Sequence, residues 1–111
     1  MAYLRKEKET VEMAYPLDKV WTAISKALIS LEWNIEQVDD ARHHVKAKTK
    51  SSLISWGSVL LIDAVALDRN TTRVSVVAET PVTTITAMVE FGRTRQRIYM
   101  FFIELKKQLT S

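Results

Sequence analysis

The chain has 111 residues, 47% of them hydrophobic, with 16 lysines and arginines, 13 aspartates and glutamates, two histidines and no cysteine. That length and apolar content describe one globular domain over residues 1–111 with a core of its own. Without cysteine these residues hold no disulfide, thiolate metal site, thiol nucleophile or lipid-anchoring cysteine.

The net charge of +3 is concentrated at one end. Residues 1–50 carry nine basic against eight acidic side chains (+1), residues 51–90 two against four (−2), and residues 91–111 five against one (+4). An electrostatic partner would therefore be sought at the last segment. The opening MAYLRKEKETVEMAY lacks the apolar stretch of a signal peptide, and no apolar run approaches the roughly 20 residues that cross a bilayer. A soluble, cytoplasmic protein is expected.

From Glu7 to Met13 charged and apolar residues mix as in a first strand. In PLDKVWTAISKALISL, Leu17, Val20, Trp21, Ile24, Ala27, Leu28 and Leu31 step by three and four, which predicts an amphipathic helix. Pro16 suits its start, and Asp18 complements the positive end of its dipole. WNIEQV and HHVKAKT then read as strands about the turn DDAR, with Val45, Ala47 and Thr49 on one face and His44, Lys46 and Lys48 on the other. SVLLIDAVAL is apolar on both faces except at Asp63, DRN turns the chain, and TTRVSVVAE places Val74, Val76 and Ala78 inward.

TPVTTITAMVEFG supports two readings. As a strand, Ile85, Ala87, Val89 and Phe91 alternate correctly. As a helix, Thr80 caps it, Pro81 fills its first turn, and Gly92 sits inside at a cost of roughly 1 kcal/mol. From about Arg93 to Leu109 a helix is expected, its core stripe Ile98, Phe101, Phe102, Leu105 and Leu109. The expected architecture is α+β, in the order β-α-β-β-β-α, an antiparallel curved sheet with a long last helix packed across it.

The stretch YPLDKVWTAISKALISLEWNIEQVDDARHHVKAK resembles the opening of helix-grip domains. These include the Bet v 1/START-like superfamily and the small domains of the C lipoprotein of the outer-membrane β-barrel assembly machine. SWG (Ser55, Trp56, Gly57) and EFGRTR (Glu90 to Arg95) resemble a pattern of small uncharacterised prokaryotic domains of this shape. The resemblance implies that the last helix lies across a curved sheet and can form a groove with it. It implies no catalytic residue, because helix-grip domains carry many unrelated functions. Bet v 1-type domains are longer and have more strands, which argues against a roomy cavity here.

Candidate chemistry is sparse. His43 and His44 are strand neighbours that point to opposite faces, so they cannot share a metal, and none is expected. No nucleophile motif surrounds any serine. Asp63 reads either as an outer-face residue beside Val59, Leu61 and Val65 or as half of a buried ion pair with Arg95. Trp56, Leu60, Ile62 and Phe101 are the residues expected to line a groove.

The last helix combines Arg93, Arg95 and Arg97 with six consecutive apolar residues, Ile98 to Ile103. Arg93 and Arg97 share a face, but Arg95 points elsewhere and Glu104 lies near their line, which disfavours nucleic acid. A membrane-surface helix is disfavoured too, since the sheet claims the apolar stripe. Tyr99, Met100 and Ile103 project away from that stripe and form an expected interaction patch, with Arg93 and Arg97 at its rim. The leading expectation is a non-catalytic binding module that engages a protein partner or a second copy through this helix. The alternative is a carrier of a small apolar ligand held between helix and sheet. Nucleic-acid binding ranks below both, no cofactor is called for, and no enzyme is expected, because no acid–base or nucleophile constellation stands out.

Overall fold

The computed structural model describes residues 3–49, 57–82 and 93–110. Five strands, β1 (Tyr3–Met13), β2 (Asn34–Asp39), β3 (His44–Lys48), β4 (Val59–Asp68) and β5 (Thr71–Val82), form one antiparallel sheet in the order β1-β5-β4-β3-β2. Helix α1 (Leu17–Ser30) follows β1, and α2 (Arg93–Thr110) closes the chain. The α+β architecture is the expected one, with one strand more than the expected order counts.

Helix α1 forms where the apolar period places it. Pro16 is extended, and its carbonyl accepts the Val20 N–H at 3.0 Å, while Asp18 sits in the first turn. Val20, Ala23, Ile24, Ala27 and Leu28 are buried. The helix ends at Ser30, and Glu32 beyond its cap, with a φ of 60°, reverses the chain so that Trp33 N–H reaches the Leu28 carbonyl at 3.1 Å.

Strand register assigns each side chain to a face, because cross-strand partners share one. The inner face holds Val45 and Ala47 of β3, Leu60, Ile62 and Ala64 of β4, and Val74, Val76 and Ala78 of β5, all buried. Both helices cover this face: α1 packs on β4, β2 and β5, α2 on β5 and β1, and each on the other. Ile98, Phe101, Leu105 and Leu109 of α2 complete the core.

Thr80–Val82 continue β5, so no helix starts at Pro81; residues 83–92, over which strand and helix readings competed, lie outside the described residues. Pro81 faces Leu4 of β1, beyond the last β4–β5 partner pair, Val59 and Glu79, so its missing N–H breaks no β4–β5 ladder bond. Among the described residues no helix is long and apolar enough to cross a membrane.

Candidate functional site

Helix α2 runs along β1 and β5 and meets the sheet differently at its two ends. At the amino-terminal end a buried row of hydroxyls spans the sheet. Thr80 Oγ1 shares one hydrogen bond with Ser58 Oγ and another, at 2.9 Å, with Thr94 Oγ1. Thr49 Oγ1 accepts the Ser58 N–H at 2.8 Å, and Arg97 Nη1 donates to Ser58 Oγ. Ser58, Thr80 and Thr94 are fully buried, so this network seats the first turn of α2 on β4 and β5. Sequence reasoning missed it, although the signal was present: Thr80 continues the inward alternation of Val74, Val76 and Ala78.

At the carboxy-terminal end the helix leaves edge strand β1 partly uncovered. Val11, Met13 and Tyr15 on one side and Phe102, Ile103 and Leu109 on the other line an open apolar groove of about 420 Å³, with Lys106 among its lining residues. The end of β1 is held in place by Thr72 Oγ1, which donates to the Tyr15 carbonyl at 2.8 Å.

The expected groove lining lies elsewhere. Leu60, Ile62 and Phe101 are fully buried core residues, because α1 and α2 together fill the space above the central strands. Trp56 lies outside the described residues, as do Ser55 and, in the EFGRTR stretch, Glu90, Phe91 and Gly92. Phe102, expected in the core stripe, is half-buried and faces the groove.

Tyr99, Met100 and Ile103 are exposed by 47%, 42% and 61%. Their expected arginine rim does not form as drawn. Arg97 turns inward to Ser58, and the side chain of Arg93 lies outside the described residues. Arg95 Nη2 donates to Glu7 Oε2 at 3.0 Å, and that hydrogen bond and charge hold the guanidinium pKa above its ordinary value.

The pair Asp63–Arg95 is likewise absent. The period of two on β4 puts Asp63 on the outer face, away from α2 and opposite His44. His44 Nδ1–H donates to Asp63 Oδ1 at 2.7 Å. His43, at φ 53° in the preceding turn, sets its ring edge-on to Trp21 at 5.2 Å, and Trp21 Nε1 donates to Asp40 Oδ1 at 3.0 Å. Among the described residues no three metal-ligating side chains cluster.

No family model and no curated protein matches the sequence. Solved structures do. A norcoclaurine synthase from Thalictrum flavum superposes with a TM-score of 0.74 at 13% identity, over 99% of this chain and 96% of that one. The Zhui aromatase/cyclase from Streptomyces sp. R1128 gives 0.70 at 14% identity, over 96% and 94%. Ara h 8.0201 gives 0.61 at 12% identity, over 98% and 100%. The fold is the Bet v 1-like helix-grip fold. At such identities the likeness establishes the fold alone.

It also corrects one expectation. A synthase and an aromatase/cyclase share the helix-grip fold, so the expectation that this chain is no enzyme does not stand. It rested on the lack of a short catalytic motif. That lack excludes little where the residues facing a groove come from opposite ends of the sequence, as Val11 and Leu109 do.

Proposed function

We propose that the chain is a ligand-binding helix-grip domain that takes up a small, mainly apolar molecule between β1 and the carboxy-terminal half of α2. The groove itself carries this reading. Six large apolar or aromatic side chains converge on about 420 Å³ of open space, beside the fully buried core residues Leu60, Ile62 and Phe101. That volume lies within the range of about 300–1,000 Å³ usual for small-molecule sites. The ligand sits beside α2 rather than beneath it, because Phe101, Leu60 and Ile62 occupy the space under the helix.

Titration with Nile red, a neutral dye that brightens in apolar surroundings, tests the reading. Wild-type protein should bind it. Val11→Glu and Ile103→Glu, both at exposed positions whose replacement spares the core, should weaken binding about tenfold or more while circular dichroism stays unchanged. No binding by the wild type, or equal binding by both variants, refutes it.

The exposed side of α2 favours a second reading, a surface for a protein partner or another copy of the chain, centred on Tyr99 and Met100. These two residues are not among the groove's lining residues, so the readings can be tested separately.

A further inference from the structure

Among the described residues, one charged side chain lining the groove has no ion-pair partner. Glu12, Lys106 and Thr110 are the lining residues with polar side chains besides Tyr15. Glu12 alternates with Val11 and Met13 along β1, so its carboxylate is turned to the opposite face of the sheet, where it meets Arg73 Nη2 at 3.9 Å. Thr110 donates its hydroxyl proton within α2, to the carbonyls of Lys106 and Lys107 at 3.0 and 3.4 Å. Glu9 shares the inner face of β1 but is not among the lining residues, and it acts electrostatically on Arg95.

Lys106 differs from all of these. It is exposed and forms no ion pair among the described residues, whereas its neighbour Lys107 reaches Glu104 at 3.9 Å. Its aliphatic stem can lie along the apolar wall while the ammonium stays at the rim. A neutral ligand leaves that ammonium unanswered, and a cationic one meets a like charge. An apolar body ending in a carboxylate satisfies both the wall and the rim.

Resting on the ligand-binding reading above, we infer that the groove selects small apolar acids, with Lys106 as the contact for the anionic group. The preference is modest, since one exposed ion pair is worth about a two- to fivefold change in affinity. It falls with salt, because the pair is screened.

Calorimetric titration with decanoate and with decanamide, which share a chain and differ in charge, tests the inference. At low salt decanoate should bind about two- to fivefold more tightly than decanamide. The difference should vanish in Lys106→Met, which keeps an apolar stem, and in wild type at about 0.5 M salt. Equal affinity for the two compounds, or a preference for decanoate that survives in Lys106→Met, overturns the inference and leaves the ligand reading standing. If neither compound binds wild-type protein, the ligand reading falls and this inference falls with it.

Discussion

Glu104 joins the two helices through its carboxylate. A hydrogen bond from Ser30 at the end of α1 holds its pKa below the usual glutamate range, aided by Gln108 Nε2, which donates at 3.1 Å, and by Lys107. A carboxyl group whose folded pKa is depressed stabilises the fold above its unfolded pKa, near 4.3, and loses that contribution as the pH falls through the lower folded value. Wild-type melting temperature should therefore fall more steeply below about pH 4.3 than that of Glu104→Gln, whose acid limb should be flatter. Parallel acid limbs in the two proteins would contradict this role. Asp63 is a different case. Its bond to His44 lies half in solvent on the outer face, so Asp63→Asn should cost less than about 1 kcal/mol in urea unfolding. A loss above about 2 kcal/mol would mean that the carboxylate carries structural weight its exposure does not explain.

At the scale of elements, α2 is secured by different chemistry along its length. Toward its start Thr80 bridges Ser58 and Thr94, so Thr80→Val takes a hydrogen-bond partner from the buried Thr94 hydroxyl and should cost about 1–3 kcal/mol. Amide exchange over residues 94–98 should quicken in that variant, while residues 105–109 keep their protection. Farther along, burial dominates, and Phe101→Ala should cost about 3–5 kcal/mol. Unchanged melting of Phe101→Ala would sink the packing of α2 on the sheet. The sequence revealed α1 and the core stripe of α2 because helical periodicity is a local signal. Strand alternation likewise showed which way Val74 and Ala78 face. It could not show that Asp63 meets His44, because that depends on the register of β3 against β4, set by contacts across nineteen residues of chain. Nor could it show that Arg97 turns inward, since its acceptor Ser58 lies just before β4, 39 residues away in sequence.

For the whole molecule, the groove is the least legible feature because it is a shape rather than a motif. It lies between the end of edge strand β1, with Tyr15 just beyond it, and the carboxy-terminal half of α2. Resemblance to helix-grip domains suggested a groove between helix and sheet, but it placed the groove over Leu60, Ile62 and Phe101, where the core is filled. The exposed Tyr99 and Met100 permit a separate prediction. If that face joins two copies, sedimentation should show a concentration-dependent dimer that Met100→Glu converts to a folded monomer with dye binding unchanged. Wild-type protein that stays monomeric at high concentration would leave self-association without support.

The most direct measurement is a nitrogen-15 chemical-shift titration of the full chain with decanoate. Binding beside α2 predicts saturable shifts confined to Val11, Met13, Tyr15, Phe102, Ile103, Lys106 and Leu109. Saturable shifts at Ala47, Leu60 and Ile62 instead, or no saturable shift at all, would contradict the proposal that the chain binds its ligand in this groove.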